Sequence, residues 1–266
     1  MKRWGLIRLV PRILKIIVLP TLLNSFMKQL FFSFVFIFFI ASCSNEPQNP
    51  IQLKNFTNEI SVKKLGHRLM NLPYGLNALE SSSNEVQEIF IAVHGGSSEG
   101  YEWVYPIKTI DTKQKHMYFY RWPDSGCFQD SAKELANEIK DILNQDNSIK
   151  KVSLIGHSYG GILVSHVLKN WKSTTPMEVH VVASPLAGTS ILKNICGYEP
   201  VKKTPNNTAL FEWRTQHRLD NAFKDLPADP QQINIQDSQV TTLPDTYKGK
   251  RLGHNWSISW VADEAF

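Results

Sequence analysis

Hydrophobic and polar positions divide the chain into an apolar leader and a long patterned remainder. Leu30 to Ile40 is apolar apart from Ser33. Further on, short apolar runs rich in β-branched residues recur: Glu88 to Val93, His116 to Trp122, Val152 to Ile155 and Glu178 to Ala183. Runs of this length without alternation predict strands buried on both faces, as in a parallel sheet. Between them the period changes. Over Ser131 to Leu143, Leu135, Ile139, Ile142 and Leu143 share one helical face, and Lys133, Glu134, Glu138, Lys140 and Asp141 lie elsewhere. A second helix opens at Ile162 and ends near Trp171. Leu210 to Gln216 and Gln239 to Leu243 complete the strands, and weaker patterns over Glu59 to Leu65 and Leu69 to Leu79 predict the first ones. Strands alternating with helical segments imply an α/β fold with a mostly parallel central sheet.

One junction carries chemistry. The strand at Val152 to Ile155 runs into Gly156-His157-Ser158-Tyr159-Gly160, and a helix follows at once. A serine at the tip of a tight strand-to-helix turn points its hydroxyl outward, and the helix N-terminus behind it aims free N–H groups at the same space. A serine hydroxyl is a weak nucleophile until a base takes its proton and a third group holds that base. Another strand end, at Val93, leads into His94-Gly95-Gly96-Ser97-Ser98. The last histidine of the chain sits in Gly253-His254-Asn255-Trp256, beyond the last predicted strand.

This set resembles the α/β-hydrolase superfamily of serine hydrolases, esterase- or lipase-like, over roughly residues 89–260. The resemblance implies an α/β-hydrolase fold. It implies Ser158 as nucleophile, His254 as general base and an acid after the penultimate strand. Asp220 is the candidate acid, with Asp225 next, Asp229 close behind and Asp245 nearer the histidine. It implies an oxyanion hole made by the N–H of Tyr159 and that of Gly96 or Ser97. About 25 residues separate Ala183 from the next strand, so any cap is small or absent. The reaction implied is cleavage of an acyl ester through an acyl-enzyme, on a small or lipid-like substrate, without metal or organic cofactor. Amidase, peptidase or thioesterase chemistry would use the same residues, and a non-catalytic binding module on the same fold is the alternative of another class. His157 is assigned to packing, and His217 comes too early in the chain order for the base. Tyr101, Trp103 and Tyr105 belong either to helix packing or to the wall of an acyl pocket.

The formal net charge is +5, yet Lys2, Arg3, Arg8, Arg12, Lys15 and Lys28 all lie before Ser42, where there is no Asp or Glu. The remainder is close to neutral, which removes the argument for nucleic-acid binding. Met27-Lys28 followed by the apolar run has the form of a signal peptide. Ile40-Ala41-Ser42-Cys43 resembles the bacterial lipobox. That resemblance implies acylation of Cys43, anchoring to a membrane surface and, with Ser44 in place of Asp, the outer membrane of the cell envelope. Residues 1–26 are either an extended leading segment or precede a true start at Met27. The expected organisation is a leader over 1–42, a tether over 43–55 and a hydrolase domain over 56–266. In an exported protein Cys127 and Cys196 are either a disulfide or two free thiols. No Cys/His spacing suits zinc. Oligomeric state is not legible.

Overall fold

The structure is a computed structural model that describes residues 51–57, 59–81 and 85–266. The leader, the lipobox with Cys43 and the first part of the tether lie outside the described residues. The elements run α1 (Val62–Met70), β1 (Gly75–Ala78), β2 (Glu88–Val93), α2 (Tyr101–Ile110), β3 (Lys115–Arg121), α3 (Gln129–Gln145), β4 (Lys151–His157), α4 (Tyr159–Lys169), β5 (Met177–Val182), α5 (Ser190–Cys196), β6 (Thr208–Arg214), β7 (Gln239–Thr242), the hairpin β8 (Thr246–Tyr247) and β9 (Lys250–Arg251), and α6 (Ser257–Ala265). Seven strands form one sheet in the order β1-β3-β2-β4-β5-β6-β7. Only β1 runs antiparallel to its neighbour, and every other pair is parallel. This is the α/β-hydrolase fold.

Strand periodicity divides the core. Ile89, Ile91 and Val93 of β2 pack with Tyr118 and Tyr120 of β3 and with Leu135 and Ile139 of α3. Phe90 and Ala92 face the other way, with Met117 and Phe119, onto Trp103 and Ile107 of α2 and Ile258 and Val261 of α6. Successive side chains of a strand point to opposite faces, so an unbroken apolar run is what a sheet covered on both sides requires. Truncating Leu154 at the centre, with none of its surface exposed, to alanine is expected to cost ~2–5 kcal/mol.

Two sequence expectations are corrected. Glu59 to Leu65 is no strand. Ser61 caps a helix there, its hydroxyl accepting from the Lys64 N–H at 3.3 Å, and Leu65 and Leu69 turn inward one helical turn apart. Gly66 obscured this helix, and the packing explains it: a Cβ at Gly66 would strike the backbone of Gly100 and Tyr101 at the start of α2. The packed fold also begins before residue 56. Ile51 is buried in the core, and the Leu53 N–H donates to the Leu79 carbonyl at 2.8 Å.

The connection from β5 to β6 holds only the short helix α5. The structure joins Cys127 to Cys196 by a disulfide, with Cα atoms 5.4 Å apart, which ties the end of α5 to the loop between β3 and α3. Among the described residues no helix is long and apolar enough to cross a membrane.

Candidate active site

The carboxyl ends of β2, β4 and β6 open on one side of the sheet, where ligands bind in open α/β folds. Ser158 sits between β4 and α4 with φ 53° and ψ −119°, a conformation that side-chain-bearing residues rarely adopt. The strain persists because the surroundings leave no room to relax. A Cβ at Gly160 would lie 2.5 Å from the carbonyl oxygens of both Val93 and His94, so only glycine lets α4 start this close to β2.

The loop after β2 is held by His94. Its Nε2 receives the Arg121 guanidinium at 2.8 Å and the Trp122 backbone N–H at 3.3 Å. Both groups only donate, so Nε2 carries the lone pair and Nδ1 carries the proton. Nδ1–H donates to the Gly95 carbonyl at 2.8 Å, and the Trp122 indole donates to the His94 carbonyl at 3.0 Å. Burial, aided by the Arg121 charge, holds the His94 pKa down to about 4, so the ring stays neutral. The next residues present their amides to the cleft. The Ser97 N–H is taken by the Asp124 carboxylate at 2.5 Å, which leaves Gly96 as the nearer candidate donor. The Tyr159 N–H belongs to the first residue of α4 and has no partner within that helix.

Asp220 follows β6 and is fully buried. Its Oδ2 faces His254 Nδ1 at 2.9 Å and accepts from the Thr215 hydroxyl at 2.5 Å, and its Oδ1 accepts from the Ala222 N–H at 2.9 Å. A carboxylate only accepts, so the His254 proton sits on Nδ1 and Nε2 is left with its lone pair. The other acidic candidates are engaged elsewhere or face solvent. Asp225 is exposed, Asp245 pairs with Arg218, and Asp229 accepts from the Gln231 N–H at 3.0 Å.

His157 does more than pack. Burial pushes its pKa well below the ordinary value, with the His254 charge adding to the effect. The neutral ring donates from Nε2 to the His254 carbonyl at 3.1 Å, and the two rings lie 4.6 Å apart. The Ser257 hydroxyl donates to the same carbonyl at 2.5 Å, and Phe223 stands edge-on to the His254 ring at 5.0 Å. The histidine loop is therefore pinned by the residue next to Ser158. Sequence reasoning missed this link, as it missed Thr215, Asp124 and Arg121, because neither spacing nor residue type marks them.

Ser158 and His254 line one cleft with Gly95, Gly96 and Ser97. No hydrogen bond joins the Ser158 hydroxyl to the His254 ring in this arrangement, and such contacts often close only when substrate binds. Of Tyr101, Trp103 and Tyr105, for which helix packing and a pocket wall were both open, only Tyr101 lines the cleft. Trp103 is buried in the core beneath α2, and Tyr105 bonds Asp263 at 2.7 Å on the surface.

A strained serine and the histidine of a buried carboxylate–histidine pair line one cleft, and acyl-transferring serine hydrolases use residues of these types. Residues 83–212 match the model of the family described as "Putative serine esterase (DUF676)". No curated protein matches the chain. Among solved structures the chain is similar to Est1E from Butyrivibrio proteoclasticus, with 11% identity and TM-score 0.46 over 67% of this chain and 85% of that one. It is similar to the esterase domain of a Rhodothermus marinus protein, with 13% identity and TM-score 0.46 over 71% and 87%. It is also similar to the Bacillus licheniformis lipase BlEst2, with 14% identity and TM-score 0.46 over 71% and 91%. The family match and the fold together support serine-hydrolase activity.

Proposed function

We propose that this protein is a serine esterase tethered to a membrane by lipid. The observation that carries the catalytic part is the buried Asp220–His254 pair at 2.9 Å, on the rim of the same cleft as the strained Ser158. Nε2 of His254 takes the Ser158 proton as Oγ attacks the ester carbonyl carbon. Asp220 keeps the imidazole oriented and stabilises the imidazolium that forms. The N–H groups of Gly96 and Tyr159 receive the developing oxyanion. The imidazolium then protonates the departing alkoxide. Water enters, gives its proton to His254 and attacks the acyl-enzyme, and Ser158 leaves with that proton restored. Every group needed belongs to the chain.

The tether is the finer part of the proposal. The apolar run and Ile40-Ala41-Ser42-Cys43 support acylation at Cys43, with a short link to a hydrolase domain that fills the rest of the chain. Several acyl chains hold a protein to a bilayer far more firmly than one. Intact-mass analysis of the mature protein from a bacterial envelope should find a lipid-modified Cys43 at the N-terminus. An unmodified Cys43, or a retained leader, would remove the anchor and leave the esterase reading standing. For the catalytic part, wild type should hydrolyse 4-nitrophenyl acetate, and Ser158→Ala should lose on the order of 10⁴-fold or more in kcat while keeping its thermal midpoint. Equal rates in the two proteins would end the proposal.

A further inference from the structure

Two consecutive glycines carry one side of the cleft. Gly95 permits a close approach: a Cβ on it would lie 3.0 Å from the Ser158 Cβ and 3.0 Å from the His157 carbonyl oxygen. Gly96 lies beside Tyr159, where a Cβ on it would sit 3.8 Å from the tyrosine ring. Glycine backbone turns more freely than that of any other residue. The Gly96 N–H belongs to an amide between two glycines, so it keeps a fixed direction only if its neighbours are tied from outside.

Those ties come from the end of β3 and the loop that follows it, residues 121–127. Before the glycines, His94 is held by the Arg121 guanidinium and by the backbone N–H and indole of Trp122. After them, the Ser97 N–H donates to the Asp124 carboxylate at 2.5 Å. Ser97 has φ 54°, a left-handed backbone that a residue with a side chain keeps only where its surroundings impose it. The Tyr159 amide is tied by the same loop. The Tyr159 hydroxyl donates to the Gly126 carbonyl at 2.8 Å, and the Trp122 ring stands edge-on to the Tyr159 ring at 4.9 Å. The loop is anchored at its far end, where Cys127 is bonded to Cys196 and the Gln129 side-chain amide donates to the Cys196 carbonyl.

We propose that residues 121–127 brace the oxyanion hole, with Asp124 and the Tyr159 hydroxyl as positioning groups that keep the Gly96 and Tyr159 amides aimed at one point. The proposal rests on the serine-esterase reading and adds what holds its two donors in place. Neither positioning group takes part in bond making.

The test compares Asp124→Ala, Asp124→Asn and Tyr159→Phe in the full chain. All three keep both amides, Ser158 and His254. Asp124→Ala removes the acceptor for the Ser97 N–H, and Asp124→Asn keeps one. Tyr159→Phe keeps the ring and loses the hydroxyl. Deleting an oxyanion donor lowers kcat about 10²–10³-fold, and displacing one costs less. Asp124→Ala and Tyr159→Phe should therefore each lower kcat for ethyl butanoate by about 10- to 100-fold, with KM near wild type. Inhibition by 1,1,1-trifluorobutan-2-one, whose adduct with Ser158 puts an oxyanion on those amides, should weaken by a similar factor. A misfolded fraction would lower kcat alone and leave that inhibition constant unchanged. Asp124→Asn should recover most of both losses. Wild-type kinetics in Asp124→Ala, a loss confined to kcat, or a loss that Asp124→Asn does not recover would each overturn the inference. Tyr159→Phe keeps the test standing if Asp124→Ala does not fold. Ester hydrolysis by wild type that Asp124→Ala and Tyr159→Phe leave unchanged defeats only the brace. No turnover and no fluorophosphonate labelling of wild type defeats both readings.

Discussion

At the residue scale the site depends on proton positions that hydrogen-bond partners dictate. The Thr215 hydroxyl and the Ala222 N–H hold the Asp220 carboxylate, and that carboxylate places the His254 proton on Nδ1. Asp220→Asn presents an amide N–H or a weaker acceptor and favours the wrong tautomer. It should lower kcat on the order of 10⁴-fold with little change in KM, the size seen when a triad acid is replaced in this way. An unchanged kcat in steady-state kinetics would mean that another carboxylate holds the base. This is also where the sequence was least legible. Asp220, Asp225, Asp229 and Asp245 all follow β6, and the resemblance puts Asp220 first without excluding the others. Burial separates them, and burial is a product of the whole fold. Ser158 and His254 stood out because glycines flank one and the other is the last histidine in the chain.

At the element scale, the approach of α4 to β2 sets the geometry of the elbow. Gly160→Ala would force a methyl against two carbonyl oxygens at 2.5 Å. Overpacking of this kind costs ~1–3 kcal/mol and displaces the backbone. Chemical denaturation should show a lower midpoint, and turnover should fall further than stability because Ser158 and the Tyr159 amide move with the helix. A variant with wild-type turnover would show that the elbow does not need this contact. The sheet was the most legible part of the fold, because β2, β4 and β5 are long apolar runs that no surface element would carry. Several helices, α1, α5 and α6 among them, were not legible. In α1, Gly66 hides the helical pattern to permit contact with α2. The residues of α6, which cover the sheet beside α2, received no element assignment.

For the whole molecule, two features give stability predictions. The Cys127–Cys196 bridge spans a sequence separation of 69 residues. Loop-closure entropy for a ring of that size corresponds to about 4 kcal/mol, so the double serine variant should unfold at lower denaturant by up to that amount. An unchanged midpoint would mean that α5 is held without it. The second feature is the pair of buried neutral histidines. In the unfolded chain both bind protons as pH falls below about 6.5, but in the folded state His94 resists to about 4 and His157 resists beyond its ordinary value. The unfolded state therefore binds more protons in this window, and stability must fall as pH drops through it. Glu80, Glu102, Asp111 and Glu138, whose burial raises their pKa values, act in the opposite sense, whereas burial of His166 and His180 lowers theirs and adds to the effect of the two histidines. The thermal midpoint should be lower at pH 5 than at pH 7, and a midpoint that rises on acidification would contradict the neutral rings.

The central claim is that Ser158, His254 and Asp220, distant in sequence, act as one unit. Its most direct test is peptide mapping by mass spectrometry after reaction with diisopropyl fluorophosphate. The account predicts a single adduct on Ser158, formed in wild type and lost in His254→Ala. An adduct on another serine, or on Ser158 at the same rate without His254, would contradict it.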